Sequence, residues 1–338
     1  MKETYDTARK LMKGYCRVCP ECNGIACAGQ VPGMGGLGTA ASFKENVTAL
    51  GKIRFNMRLI HNVTEPDLSI SLLGRQMALP LMAAPIGGVS FNMGGQVSEE
   101  AYIRAIVRGC KEKGIIGCTG DGVPDFIHET GLKEIKDAKG HGIPFIKPWE
   151  DRELFEKIQK VRDAGADTMG IDIDAAGLIT LKKMGRPVFP RGIEKLGKII
   201  QQASMKFILK GVMTVQDARA AVEAGADAIV VSNHGGRVLD YLPGSASVLP
   251  AICDAVKDQV TLLADGGVRS GGDVLKLLAL GADAVMIGRP FSVAAVGGGQ
   301  AGVESYIDKI KTELEQAMVL TGVKRASQVP GNIIFRPV

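Results

Sequence analysis

Short apolar runs recur along the chain, and each follows a segment with helical spacing that ends at a glycine. Three of these junctions share one pattern: AGAD at residues 164–167, AGAD at 224–227 and LGAD at 280–283 each lead into a mostly apolar run. Glycine at such a point is typical of a left-handed helix cap, and a continuous apolar run is typical of a strand buried on both faces. The pattern therefore predicts βαβ units and a parallel sheet.

Eight runs of this kind predict eight strands. They lie at residues 80–84, 114–118, 143–147, 168–172, 207–209, 228–232, 261–264 and 284–288. Eight parallel strands separated by helices indicate an α/β fold, the (β/α)8 or TIM barrel. The alternative is a doubly wound open sheet, although such a sheet usually has fewer strands.

Residues 1–78 lack this alternation. Helical spacing predicts helices over residues 3–13 and 42–50, the second with a capping-box spacing at its start. Between them lie a cysteine cluster and a glycine-rich stretch over residues 29–38. We expect residues 1–78 to form an N-terminal helical, cysteine-containing extension that packs as a lid on a barrel formed by residues 79–338.

Composition and charge exclude some classes of function. The 338 residues are 46% hydrophobic and 23% charged, as in ordinary globular proteins. A net charge of +5 without long basic runs, and only 5% aromatic residues, favour a small anionic ligand over nucleic acid. No apolar run reaches the roughly 18 residues of a membrane span, and no signal-peptide pattern is present. We therefore expect a cytoplasmic protein whose cysteines are thiols or ligands.

Polar residues follow nearly every predicted strand. The carboxyl ends of TIM-barrel strands hold the active site, so these positions predict a polar pocket that binds anions. A salt bridge at the barrel mouth is the alternative for any single one of them. They are Thr119, Asp121, Lys147, Asp172, Asp174, Lys210, Ser232, Asn233, His234, Asp265, Gly288 and Arg289.

A phosphate-binding loop is predicted after the seventh and eighth strands. The sequence DGGVRSGGD at residues 265–273 offers glycine N–H groups and a following helix N-terminus, both suited to an anion. Gly288 and Arg289 add a guanidinium after the last strand. This position is the frequent phosphate site of the fold. The pattern alone does not choose among flavin, nucleotide and sugar phosphate.

The sequence SNHGGR at residues 232–237 is the most specific motif. His234 can exchange a proton near neutral pH, and Arg237 can bind a carboxylate through two hydrogen bonds. The two glycines allow a turn that brings both side chains to one pocket. A lone histidine is more often structural, and we expect that of His61, His128 and His141.

Several motifs together resemble the FMN-dependent 2-hydroxy-acid oxidase and dehydrogenase family, which includes enzymes like glycolate oxidase and L-lactate oxidase. They are APIG at 84–87, Lys210 with Gly211, SNHGGRVLD at 232–240, DGGVR at 265–269, and Gly288 with Arg289. The resemblance covers roughly residues 42–330. It implies a TIM barrel, FMN, a homo-oligomer, and oxidation of a small, lactate-like 2-hydroxy acid to the 2-oxo acid.

The resemblance also assigns roles to individual residues. His234 is the expected base, Asp174 orients it, Arg237 binds the substrate carboxylate, and Lys210 stabilises reduced flavin. The flavin ring is expected to contact Pro85, Ile86, Gly87, Thr119, Asp172, Lys210 and Ser232. The ribityl and phosphate end is expected to contact Asp265, Gly266, Gly267, Arg269, Gly288 and Arg289.

The wall that faces the substrate departs from the family pattern. Residues 33–41 lack the family's tyrosine, Lys147 stands at the position of a second tyrosine, and Asp121 replaces a tryptophan. The family's second arginine aligns near Leu181, beside Lys182 and Lys183. Lys147 and Asp121 are therefore the candidate substrate-facing residues. Alternatives are another FMN reaction, such as isopentenyl-diphosphate isomerase-like or peptide-modifying chemistry, and a non-catalytic flavin-binding protein.

Cys16, Cys19, Cys22 and Cys27 lie close together in sequence. Four thiolates can bind zinc or an iron–sulfur cluster, although the spacing matches no standard pattern closely. Redox-active or simply structural thiols are the alternatives. A cluster would pass electrons from FMN to a redox partner in place of oxygen, whereas zinc would only stabilise the lid. We expect the remaining cysteines to be buried apolar thiols: Cys110, Cys118 and Cys253.

Overall fold

The chain begins with two helices and a hairpin before the barrel starts. The computed structural model describes residues 1–178, 181, 184–186 and 188–335. Its first elements are helix α1 (Lys2–Leu11), helix α2 (Ala41–Lys52), and the antiparallel strands β1 (Ile70–Leu72) and β2 (Arg75–Met77). The stretch between α1 and α2, with all four clustered cysteines, is irregular.

Eight parallel strands then close into a barrel, so the predicted TIM barrel is confirmed and the open sheet is excluded. They are β3 (Leu81–Ile86), β4 (Ile116–Thr119), β5 (Ile143–Ile146), β6 (Thr168–Asp172), β7 (Lys206–Val212), β8 (Ala228–Val231), β9 (Thr261–Ala264) and β10 (Ala284–Ile287). Each predicted strand exists, with bounds shifted by a few residues. Most strand positions are buried, because side chains fill the barrel on one face and meet helices on the other.

Helices cover the outside of the barrel and follow the strands in alternation. They are α3 (Val89–Asn92), α4 (Glu99–Glu112), α5 (Phe126–Asp137), α6 (Asp151–Asp163), α7 (Ile193–Ala203), α8 (Val215–Glu223), α9 (Ser245–Val256), α10 (Gly271–Ala279) and α11 (Arg289–Thr321). Among the described helices, none combines the length and the apolar character needed to cross a bilayer.

Residues 1–78 contact the last long helix and the segment that follows it. Helix α1 lies along α11, where a side chain at Gly297 would overlap the Thr4 carbonyl. Asp67 exchanges backbone hydrogen bonds of 2.8 Å with residues 324 and 326. These contacts join the N-terminal extension to the last helix and to the segment that follows it.

The predicted capping box at the start of α2 is wrong. The N-cap residue is Ala40, and it makes no side-chain cap hydrogen bond. The Ser42 hydroxyl instead donates to the Leu239 carbonyl at 2.8 Å and accepts from the Leu242 N–H at 2.8 Å. The Ser42 hydroxyl therefore bonds to a distant loop and not, as the local spacing had suggested, to the first turn of α2.

Gly170 on β6 is packed against the ring of Phe145 on β5, and an added methyl would overlap that buried ring. We expect Gly170→Ala to lower the free energy of unfolding by about 1–3 kcal/mol, the usual cost of overpacking a core. Urea denaturation of the purified protein measures this change.

The matched control is Gly51→Ala, on the surface of α2, where an added methyl has nothing within 4 Å. This change should be neutral or stabilising by up to about 1 kcal/mol, because alanine favours helix over glycine. Equal losses in both variants would contradict the packing argument.

Candidate active site

A cavity of about 410 Å³ opens at the carboxyl ends of the barrel strands, a size typical of ligand and cofactor sites. Most of the residues predicted from sequence meet there. Those that line it are Pro85, Ile86, Gly87, Asp121, Lys147, Asp172, Lys210, His234, Arg237, Asp265, Gly266, Gly267, Arg269, Gly288 and Arg289. Lys182 and Lys183 lie outside the described residues.

His234 and Asp174 form an acid–base pair at this cavity. The Nδ1 atom of His234 lies 2.9 Å from Oδ1 of Asp174. Burial pushes the pKa of Asp174 upward, but His234 and Lys210 outweigh it and hold this pKa below its usual value. The carboxylate therefore stays charged and fixes the imidazole through Nδ1, which leaves Nε2 as the nitrogen available to a substrate.

Strand β7 lies between the strands that precede Asp174 and His234, and its backbone makes room for Asp174. The pairing of β7 with β8 shifts register between Lys210 and Val212. Gly211, at the shift, has a φ of +106°, and any side chain there would overlap the carboxylate of Asp174. The bulge thus lets Asp174 approach the backbone of the neighbouring strand.

The turn that holds His234 has an unusual backbone. Residues 234–236 all have left-handed φ angles, of +56°, +61° and +75°. Such geometry is costly for a histidine and persists where the surroundings impose it. The Asn233 side chain accepts from the N–H of residue 236 and exchanges hydrogen bonds of 2.7 and 3.1 Å with Asn46 of α2. Helix α2 therefore braces the turn.

Lys210 supplies a buried positive charge at the base of the cavity. Its ammonium lies 3.3 Å from Asp172 Oδ1 and 4.0 Å from Asp265 Oδ2. Burial alone would lower the pKa of Lys210, but Asp172, Asp174 and Asp265 raise it overall, so the ammonium stays charged. Burial raises the pKa of Asp265 despite the lysine.

Three guanidinium groups converge on the other side of the cavity. Burial, together with the nearby charges of Arg237 and Arg269, lowers the pKa of Arg289 to about 9. The Arg289 Nε donates to the Met34 carbonyl at 2.7 Å, and its guanidinium stacks 3.9 Å from the Phe43 ring centre. Such a concentration of buried positive charge suits an anionic group.

Arg237 and Arg269 also bind the backbone of the N-terminal segment. Arg237 donates to the carbonyls of residues 33 and 35 and, at 3.0 Å, to Oδ1 of Asn92. Arg269 donates to the Cys22 carbonyl at 3.1 and 3.0 Å. Met34 itself lines the cavity, so this segment forms the wall where the family's tyrosine is missing.

The geometry corrects the expected role of Asp121. Its carboxylate accepts from Lys157 Nζ at 2.8 Å, from the N–H of Lys147 at 3.1 Å, and from the Trp149 indole. Burial pushes the pKa of Asp121 upward, yet Lys157 and His128 hold it below its usual value. The Asp121 carboxylate is thus engaged with the protein and supports the wall, and Lys147 also lines the cavity.

Two other predicted flavin contacts do not reach the cavity lining. The hydroxyl of Thr119 faces α5, because an added methyl at Gly131 would lie 2.8 Å from it. Ser232 is fully buried and its hydroxyl accepts from the His234 N–H at 3.1 Å. Ser232 therefore supports the turn, and Thr119 packs between strand and helix.

Sequence reasoning missed several residues that shape the site. Glu99 accepts from the N–H groups of Gly88 and Val89 at 2.9 and 2.7 Å and so fixes the loop after β3. Lys157 and Asn92 were also missed. Lys157 had a signal, since it interrupts the apolar face of α6 formed by positions 154, 158 and 161. No sequence signal marked Asn92 or Glu99, because the groups to which they hydrogen-bond lie on other segments.

The remaining histidines and cysteines fall outside the cavity lining. Cys110, Cys118 and Cys253 are buried, as expected. Burial lowers the pKa of His128 to about 4, so that ring is neutral. Within the described part of the chain, no three cysteine sulfurs lie within 4.8 Å of one another. Three potential metal-ligand atoms do lie within 4.8 Å of one another at Asp172, Asp174 and His234.

The residues present fit a flavin mononucleotide. Two arginines and the loop at Gly266 and Gly267 suit its phosphate, and Asp265 Oδ1 is a buried acceptor without a hydrogen-bond partner among the described residues. Pro85, Ile86 and Gly87, at the end of β3, line the cavity where the flavin ring would lie. An anion-binding loop after β9 and β10, a buried lysine and a His–Asp pair on one TIM barrel define the class of FMN-dependent oxidoreductases.

The chain belongs to the FMN-dependent dehydrogenase family, because the sequence model of this family matches residues 33–189 and 182–336. The resemblance inferred from the motifs is thereby confirmed, and with it FMN as the cofactor. The chain is accordingly an FMN-dependent oxidoreductase of the kind that oxidises 2-hydroxy acids.

Relatives and solved structures agree with this family. An L-lactate dehydrogenase of Xanthomonas campestris is 29% identical, with 89% of this chain and 91% of that protein aligned. A 4-hydroxymandelate oxidase of Amycolatopsis orientalis is 30% identical over 85% of this chain and 88% of that protein. A crystal structure of mandelate oxidase superposes with a TM-score of 0.79 at 28% identity, covering 99% of this chain and 97% of that one.

The ion pair between Lys157 and Asp121 is nearly inaccessible to solvent, with side-chain exposures of 6% and 0%. We expect Lys157→Met to lower the free energy of unfolding by about 3–5 kcal/mol, because Asp121 would keep a buried charge without its cation. Chemical denaturation of the FMN-loaded protein measures the loss.

Lys160→Met, on the same helix, is the matched control. Its pair with Glu129 is exposed, with side-chain exposures of 49% and 55%, so the loss should stay below about 1 kcal/mol. Similar losses for the two lysines would show that the Asp121 pair does not stabilise the wall.

Proposed function

We propose that this chain oxidises the hydroxyl-bearing carbon of a small, lactate-like 2-hydroxy acid to a 2-oxo acid. The observation behind the proposal is the His234–Asp174 pair, joined at 2.9 Å, on the same turn as Arg237 and in one cavity. Relatives named for lactate and for 4-hydroxymandelate support this class of substrate. FMN supplies the two-electron acceptor.

His234 acts as the base. Its Nε2 would take the proton of the substrate hydroxyl, and the hydrogen on the same carbon would leave with its electron pair to the flavin. Asp174 would hold Nδ1 and stabilise the imidazolium that results. A carboxylate that stays charged suits this role, and the lowered pKa of Asp174 keeps it so.

Arg237 binds the substrate carboxylate, and its position three residues after His234 fixes the acid relative to the base. Lys210 would hold a positive charge near the ring of a bound flavin, where such a charge would favour the reduced, anionic form. We assign the ring to Pro85, Ile86, Gly87, Asp172 and Lys210, and the ribityl phosphate to Asp265, Gly266, Gly267, Arg269, Gly288 and Arg289.

The side chain of the substrate meets a largely apolar wall. The residues of this wall are Phe91, Val123, Leu178, Leu181 and Met184. Lys147 adds a positive charge where the family has a tyrosine. A compact apolar substituent next to a carboxylate fits this surface, which agrees with a lactate-like acid.

We further propose that the protein works in the cytoplasm as a homo-oligomer. The chain offers exposed apolar side chains, among them Met57, Leu59 and Ile60, which a partner subunit would cover. Light scattering of the purified protein gives the number of subunits directly.

The electron acceptor is oxygen or a redox partner, and anaerobic turnover with added acceptors distinguishes them.

Flavin reduction tests the proposed chemistry. FMN-loaded protein is mixed with a panel of 2-hydroxy acids without oxygen, and the flavin band near ~450 nm is followed. We expect at least one acid to bleach it, and we expect His234→Ala to slow bleaching by about 100- to 10,000-fold. His61→Ala, outside the cavity, is the control and should behave as the parent protein.

Dithionite should still bleach the His234→Ala protein, since the flavin remains bound. If dithionite bleaches the parent protein but no 2-hydroxy acid does, the proposed substrate class is wrong. Another FMN reaction on this scaffold, such as isomerase-like or peptide-modifying chemistry, would then be favoured.

Arg237→Met tests the carboxylate contact. Loss of hydrogen bonds between charged groups should weaken binding of the acid by about 1.5–3 kcal/mol, or roughly 10- to 150-fold. The corresponding 2-hydroxy amide, which has no negative charge, should lose much less. Equal losses for acid and amide would mean that Arg237 does not bind the carboxylate.

A further inference from the structure

The four clustered cysteines lie outside the part of the chain that the family accounts for. The family match begins at residue 33, whereas the cysteines occupy positions 16–27. All four are partly exposed, on the irregular stretch between α1 and α2. The barrel and its FMN chemistry therefore give them no role.

Two of the four sulfurs accept N–H hydrogen bonds. The Sγ atom of Cys16 lies 3.4 Å from the N–H of Val18, whose φ of +46° turns the chain back toward the sulfur. The Sγ atom of Cys22 lies 3.4 Å from Nη2 of Arg269. Hydrogen bonds to sulfur stabilise the thiolate form and are a feature of sulfur atoms that bind iron.

The spacing of the sulfurs argues against a single zinc ion. A single zinc ion, with Zn–S bonds of about 2.3 Å, holds its four sulfurs about 4 Å apart. No three of these sulfurs, all in the described part of the chain, lie within 4.8 Å of one another. A cluster places a different iron at each sulfur and so needs a wider set. The first three cysteines also have the C-x2-C-x2-C spacing of bacterial ferredoxins.

We propose that Cys16, Cys19, Cys22 and Cys27 bind one iron–sulfur cluster of the [4Fe–4S] type. The site adjoins the flavin cavity, because Cys22 contacts Arg269 through both its carbonyl and its sulfur, and Arg269 lines that cavity. Nearby guanidinium groups offset the negative charge of a cluster with four thiolates. The site does not depend on which substrate the enzyme oxidises.

Metal analysis of the full-length, FMN-loaded protein tests the proposal. The protein is purified without oxygen, incubated with ferrous iron, sulfide and dithiothreitol, and freed of excess reagents. We expect about four iron atoms and about four acid-labile sulfides per chain, with a paramagnetic resonance signal after dithionite that a flavin alone does not give.

Matched cysteine variants locate the site. Cys19→Ala and Cys22→Ala should lose most of the iron and the resonance signal, yet keep FMN. Cys253→Ala is the control, since this buried thiol lies against Gly281 far from the cluster in sequence, and it should keep both. Retained FMN in the first two variants shows that they have folded.

Three results would overturn the proposal: one zinc per chain without iron, no metal with four alkylatable thiols, or cysteine pairs joined as disulfides in mass spectra of the anaerobic protein. The iron-to-sulfide ratio of the parent protein decides the matter even if a variant fails to fold. Bleaching of the flavin by 2-hydroxy acids is scored separately, so either proposal can fail without the other.

Discussion

A buried positive charge organises the carboxyl end of this barrel. The Lys210 ammonium, on β7, is surrounded by carboxylates that follow β6 and β9, and it stays charged because those carboxylates outweigh its burial. Ions in such a position cost several kcal/mol each unless they compensate one another. Through Asp174, the same charge balance reaches His234. The ion pairs around Lys210 and the His234–Asp174 pair therefore share one electrostatic core.

The fold and the central motifs were accessible from sequence for a physical reason. Parallel strands are buried on both faces, so their apolar runs are visible without knowledge of any partner. The residues of the turn at 232–237 and of the loop at 265–269 are contiguous, so their spacing already places them together. The strand ends converge because the eight parallel strands close into a barrel.

The errors arose where a distant segment decides what a side chain contacts. Asp121 appeared to face the substrate, but Lys157, 36 positions further along, takes its carboxylate. Thr119 lies on the expected strand, but its side chain points toward helix α5. Successive side chains of a strand alternate between its two faces, so a shift of one residue changes the face. Ser42 had the spacing of a helix cap, but the loop at Leu239 and Leu242 claims its hydroxyl. Local patterns do not contain this information.

The contacts between the two ends of the chain have a consequence for biosynthesis. Strand β3 has β10 as one of its two neighbours, and Asp67 pairs with residues 324 and 326. At about 5–20 residues per second, a ribosome needs on the order of 10–40 s to make the chain between these two strands. During that time the first strands lack a partner edge and the N-terminal segment lacks its docking surface. The barrel can therefore close only after β10 has been made, and Asp67 can pair only after residues 324 and 326 have followed.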